Sequence, residues 1–278
     1  MRKMDILLFC GQSNMQGQTE KSPDAAVIKG AYEYRWLEDK LVPLQHPVGE
    51  NIGDILLAAH EGKGSPVPAF CKAYTEETQN RAVAVHIAKG ATAIAEWLPE
   101  HVSGRYHIAV QKAQAAMNAV RNTQAAMNAV RNAQVAMNAV RELGKIYFIW
   151  LQGESDALAG TSQTTYEERM RYFRKNLIKD LNIDGFCIIR VGKFANDERD
   201  IAIIRAQETL CKESGFIMLT RLTGYLTQRA EYMNPDAPGH YNNAGSELLG
   251  ESAGKNLARI RMGVPVVPEE EFYGDVEE

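Results

Sequence analysis

No apolar run in this chain approaches the roughly 18–20 residues that a helix needs to cross a membrane. The amino-terminal stretch from Ile6 to Cys10 holds only five apolar residues, short of the about 7–15 of a signal-peptide core. It reads as a buried first strand. No Asn-x-Ser/Thr sequon occurs. The four cysteines, Cys10, Cys71, Cys187 and Cys211, form no Cys-x-x-Cys pair, which argues against a zinc or thioredoxin-like centre. These absences fit a cytoplasmic protein. Nor is there an excess of positive charge: 31 basic face 35 acidic side chains, for a net charge of −4. No cationic face for nucleic acid is implied. The Gly62-Lys63-Gly64 stretch fails as a phosphate loop because no serine or threonine follows the lysine directly. His60-Glu61 lacks the second histidine of a zinc-protease helix. His86 sits inside an apolar run and reads as a core histidine.

What is present is an alternation. Strand-length apolar runs lie at Asp5–Cys10, Arg81–Ile87, Lys145–Leu151, Phe186–Val191 and Phe216–Thr220. Near-continuous apolar runs of this kind suit strands buried on both faces of a parallel sheet. Helical patterns fall between them at Val67–Gln79, Thr164–Leu181, Asp197–Ser214 and Asn242–Arg261. The expected fold is therefore α/β: a three-layer α/β/α sandwich around a parallel, roughly five-stranded sheet, forming one domain over 1–278. Residues 18–60 show no clear period and are expected to form a long excursion.

One segment is written three times: residues 112–141 repeat a ten-residue unit, KAQAAMNAVR, with small variations. Ten residues at 100° each advance a helix by −80° after whole turns, so Met117, Met127 and Met137 fan out instead of forming one stripe. The residue types are strong helix formers. One extended crossover helix over 106–143 is expected, about 57 Å long, lengthened by a tandem duplication with no dedicated seam.

Chemistry-bearing residues gather at strand ends, where open α/β sheets bind ligands. Gly11-Gln12-Ser13-Asn14-Met15 follows the first run, and Gly90-Ala91-Thr92-Ala93-Ile94-Ala95-Glu96-Trp97 the second. Trp150-Leu151-Gln152-Gly153-Glu154-Ser155-Asp156 ends the third. Late in the chain, Asp236 and His240 share one short loop. A serine nucleophile needs a base within hydrogen-bond reach and an acceptor to orient that base, and these segments offer all three.

Four segments in this order resemble the SGNH hydrolase superfamily, and more narrowly its sialate O-acetylesterase and acetylxylan esterase-like group (carbohydrate esterase family 6 type). The resemblance frames the chain from residue 5 to about 260. It implies a serine esterase that deacetylates O-acetylated sugars through an acyl-enzyme, with no metal and no cofactor. Ser13 would be the nucleophile, His240 the base and Asp236 its orienting acid. The backbone N–H groups of Ser13 and Gly90, with the Gln152 side chain, would hold the oxyanion. Gln12, Asn14 and Trp97 are the candidates for the substrate site, a core position being the alternative for Trp97. The expected partner is a small acetylated carbohydrate, not nucleic acid or membrane, with a homo-oligomer left open. Two departures stand out. The family spaces acid and base as Asp-x-x-His, whereas Asp236 and His240 have one residue more between them, which leaves Glu154 as the alternative carboxylate. The family's Gly-Gly-Thr-Ser reads Gly90-Ala91-Thr92-Ala93 here. These departures also motivate a reading from another class, a carbohydrate-binding or scaffold protein on a decayed hydrolase fold.

Overall fold

The computed structural model describes residues 3–131 and 143–266. Seven strands form one sheet: β1 (Met4–Gly11), β2 (Ala31–Arg35), β3 (Lys40–Pro43), β4 (Arg81–Ala88), β5 (Ile146–Leu151), β6 (Gly185–Ile189) and β7 (Phe216–Thr220). Their order is β3-β2-β4-β1-β5-β6-β7. Every neighbouring pair is parallel except β2 with β3. The sequence pointed to roughly five strands, and all five of those runs are strands here. The two additional ones, β2 and β3, come from the excursion whose period was unclear. The reason is visible in β2. Its Glu33 is buried because it takes the Gly49 N–H and pairs with Arg35, and a buried glutamate looks like surface in a sequence.

The helices are α1 (Ser13–Gln16), α2 (Val67–Thr78), α3 (Arg105–Arg131), α4 (Glu154–Leu158), α5 (Gln163–Leu181), α6 (Glu198–Leu210), α7 (Thr223–Leu226) and α8 (Asn243–Arg261). Helices α2 and α8 pack together beside β4 and β7, while α3, α5 and α6 form the other layer. The α2–α8 contact is close because of small residues. A Cβ on Gly250 would stand 2.3 Å from the Pro66 carbonyl oxygen, and one on Gly254 2.3 Å from that of Phe70. Between the layers, Phe148, Trp150, Phe173 and Phe186 form a continuous aromatic stack. Each such side chain contributes about 1.5–3 kcal/mol through burial.

The first repeat unit belongs to this core. Ala113, Ala116, Met117 and Val120 are buried on one face of α3, and the Lys112 ammonium, 0% exposed, bonds Glu50 at 3.1 Å. The equivalent positions of the next two units hold Asn122 and Asn132. The units are thus not interchangeable, since only the first carries this buried cation. The expected continuation of the helix through 132–142 lies outside the described residues.

Candidate active site

The strand order places β1 at the centre, flanked by β4 and β5, and Gly11 stands in register with Ala88 on one side and Leu151 on the other. The turn out of β1 requires glycine. Gly11 has φ +151, and a Cβ there would lie 1.9 Å from the Leu151 carbonyl oxygen. The chain then enters α1, whose Met15 and Gln16 N–H groups return to the Gln12 carbonyl at 3.0 and 2.7 Å. Beneath the turn, the buried His86 ring donates from Nε2 to the Met15 and Gln16 carbonyls at 3.3 and 3.2 Å. Burial lowers its pKa to about 3, so it stays neutral. This scaffold presents Ser13, 8% exposed, at the carboxyl end of the central strand.

His240 arrives from the loop between a single 3-10 turn, Ala230–Tyr232, and α8. The loop is closed on itself. The Asn234 N–H donates to the His240 carbonyl at 2.7 Å, and Met233 bridges Tyr241. Asn242 caps α8 by accepting from the Gly245 N–H, and the Asn234 side chain donates to the Gln18 carbonyl at 2.7 Å. So placed, His240 Nε2 lies 2.8 Å from Ser13 Oγ. Its Nδ1 lies 3.2 and 3.1 Å from the carbonyls of Ala237 and Pro238. Carbonyls only accept, so Nδ1 carries the ring proton and Nε2 is the acceptor facing the serine hydroxyl. This is the tautomer that can take a proton from Ser13. Burial also holds the His240 pKa below its ordinary value, which keeps the ring neutral near pH 7. The Phe194 ring stands edge-on to the imidazole at 5.9 Å. Its loop is fastened by Asp200, which accepts the N–H groups of Phe194, Ala195 and Asn196.

The expected acid does not serve the base. Asp236 is exposed, and its carboxylate makes no hydrogen bond to His240 among the described residues. The chain turns at Gly239, φ +79, and the turn brings two backbone carbonyls under Nδ1 instead of a carboxylate. Glu154, the alternative, is buried and accepts from Asn14 Nδ2 at 2.7 Å, not from His240.

Of the three expected oxyanion donors, two backbone N–H groups lie at the serine and the Gln152 amide is engaged elsewhere. The Ser13 N–H has no acceptor among the described residues. The Gly90 N–H lies beside the serine, since a Cβ on Gly90 would be 3.4 Å from Ser13 Cβ. In this state it donates to Gln16 Oε1 at 2.7 Å. Gln152 is corrected: it is 0% exposed, and its amide donates to the Thr92 carbonyl at 2.9 Å and to Asp156 Oδ2 at 2.6 Å. One bond ties the third segment to the second through Thr92, and the other closes within the third on Asp156. Ala91, where the family carries glycine, adopts φ +57, a left-handed conformation that strains an L side chain.

Comparisons with known proteins bear on this geometry. The family model described as carbohydrate esterase, sialic acid-specific acetylesterase, matches residues 3–258. The chain belongs to this family. A probable carbohydrate esterase of Arabidopsis thaliana is 25% identical over 252 residues, 81% of this chain and 85% of that protein. The same fold is seen in three solved structures. A protein from Arabidopsis thaliana has a TM-score of 0.63 at 18% identity, covering 93% of this chain and 98% of that one. NanS has a TM-score of 0.60 at 13% identity, covering 94% and 97%. A carbohydrate acetylesterase from Xanthomonas citri has a TM-score of 0.55 at 14% identity, covering 95% of this chain and 57% of that one.

Three further residues named from the sequence lie inside the fold. Trp97 is a core residue, 0% exposed, its indole N–H on Thr92 and its ring edge-on to Trp150. Gln12 is buried and accepts from the Ser155 N–H at 3.1 Å. Asn14 is buried against Glu154 and the His240 loop. None of the three lines an open substrate surface. Gln16, Asn234, Phe194 and Asp200 were not anticipated, because each acts through partners remote in sequence and no spacing marks them. Among the described residues no cluster of His, Cys, Asp and Glu has the makings of a metal site, and no helix is long and apolar enough to cross a membrane.

Proposed function

We propose that this chain is a serine esterase that removes O-acetyl groups from carbohydrate, acetylated sialic acid or xylan-type sugars being the candidate substrates. The observation that carries this reading is the 2.8 Å contact between Ser13 Oγ and the acceptor nitrogen of His240 at the end of the central strand. Membership of the carbohydrate esterase family supports the substrate class.

In this mechanism Ser13 Oγ attacks the acetyl carbonyl carbon as its proton passes to His240 Nε2. The carbonyls of Ala237 and Pro238 take the orienting place of a carboxylate and stabilise the imidazolium through Nδ1–H. The tetrahedral oxyanion is held by the Ser13 N–H and by the Gly90 N–H once Gln16 yields it. One such donor is worth about 2.7–4 kcal/mol in the transition state. Collapse breaks the bond to the sugar oxygen, which leaves with the proton from Nε2. Water then attacks the acetyl-serine, its proton goes to Nε2, and acetate departs as Ser13 regains a proton.

The engagement of Gly90 and Gln152 by internal partners favours a second reading, a carbohydrate-binding protein on a hydrolase fold. Acetate release from a panel of acetylated sugars, by the parent and by Ser13→Ala, separates the two. The esterase releases acetate from at least one sugar and the variant does not. Sugar binding without release in either protein supports the second reading.

A further inference from the structure

Asn14 and Glu154 make no hydrogen bond to the imidazole among the described residues, yet both are buried polar groups, and Asn14 bonds the loop that carries His240. Asn14 follows the nucleophile directly. Its side chain reaches both sides of His240: Nδ2 lies 3.4 Å from the Gly239 carbonyl, and Oδ1 accepts from the Tyr241 N–H at 3.3 Å. The same Nδ2 donates to Glu154 Oε1 at 2.7 Å, the tightest of the three bonds. Three segments meet there: the turn after β1, the turn after β5 and the loop of His240. Since Ser13 and His240 are 227 residues apart in sequence, a single side chain next to the first grips the backbone on either side of the second.

The amide works only one way round. With oxygen and nitrogen exchanged, Oδ1 would face the Gly239 carbonyl and Nδ2 the Tyr241 N–H, two repulsive pairs. A carboxylate can only accept, so Glu154 selects the orientation with Nδ2 toward itself and Gly239. The placement has a price in solvation. Glu154 is 4% exposed, its Oε2 has no hydrogen-bond partner among the described residues, and burial raises its pKa. An apolar residue of similar size would serve packing alone at less expense.

We propose that Asn14 is a positioning residue that holds His240 against Ser13, and that Glu154 fixes the orientation of the Asn14 amide. The inference rests on the serine esterase reading above. The ionisable groups around the arrangement are His240, Glu154, Asp200 on α6 and Asp236 on the loop itself.

The test uses the full chain and an aryl acetate, with active sites counted by fluorophosphonate titration so that loss of folded protein does not enter the rate. Asn14→Ala and Glu154→Leu are expected to lower kcat by about a hundredfold, the effect of misplacing a catalytic group by about an ångström, with KM little changed. The acid limb of the kcat/KM profile is expected to move to higher pH in both. A released His240 regains water and with it a more ordinary pKa. Glu154→Gln keeps an acceptor oxygen for Asn14 and is expected to restore most of the rate and the parental midpoint. Parental kcat and midpoint in Asn14→Ala would overturn the proposal, as would a fall in thermal stability with both unchanged. Glu154→Gln as impaired as Glu154→Leu would overturn the orienting role of Glu154. Retained turnover in Ser13→Ala would instead refute the esterase reading beneath it.

Discussion

The two halves of the Ser13–His240 pair are held by different kinds of structure. Ser13 stands on the central strand of the sheet, and its position follows from backbone geometry: a ladder on both sides of β1, a glycine turn and a short helix. His240 stands on a half-exposed loop held by individual side chains, Asn14, Asn234 and Phe194 among them. Ser13 is thus placed by the fold, and His240 by contacts added to it. Substitutions behind the serine are expected to damage folding, and substitutions behind the histidine to damage rate with the fold intact.

The largest expected effect breaks the pair itself. Ser13→Ala is predicted to lose turnover of an aryl acetate on the order of a millionfold in kcat, as removal of a serine nucleophile does elsewhere, with an unchanged circular dichroism spectrum. Gly11→Ala is the matching test of the strand side. Its Cβ would collide with backbone, and together with the strained φ the cost is about 3 kcal/mol or more, read as a fall in the denaturant midpoint. On the histidine side, the pH profile sharpens the comparison. The base acts when unprotonated, and burial lowers its pKa. The acid limb of kcat/KM should therefore have its midpoint below the ordinary histidine value of about 6.5. A midpoint at or above that value would show His240 to be solvated. Asp236→Asn is predicted to leave kcat nearly unchanged, because carbonyls and not this carboxylate meet Nδ1. A loss near the 10⁴-fold that follows removal of a triad acid would show that the loop rearranges in catalysis. The smallest effect is a gain. Ala91→Gly relieves a left-handed backbone and should add about 0.5–1 kcal/mol of stability, visible as a higher melting temperature.

How much of this was legible in the sequence follows the same division. Strands β1, β4, β5, β6 and β7 and the helices between them were readable because apolar periodicity reports burial. The serine at the end of the first strand and the late histidine were both named from the sequence, and the fold sets them 2.8 Å apart. Strand β2 was hidden by the buried Glu33, which reads as a surface residue in a sequence. Asp236 and Glu154 were both named as the acid, yet the turn at Gly239 sets two carbonyls against Nδ1, which residue spacing alone does not show. Gln152 and Trp97 occupy the right segments, yet each turns inward to a partner that no spacing reveals, Asp156 for the first and Thr92 for the second. Residues that join segments far apart in sequence, such as Asn14 to Tyr241, are the part that pattern cannot supply.

The central claim is that Ser13 is a nucleophile activated by His240. Reaction with a fluorophosphonate, followed by intact-mass and peptide analysis, tests it most directly. The account predicts one adduct per chain, located on Ser13, absent in Ser13→Ala and formed far more slowly in His240→Ala. A folded protein that takes up no label, or takes it up at another residue, would contradict it.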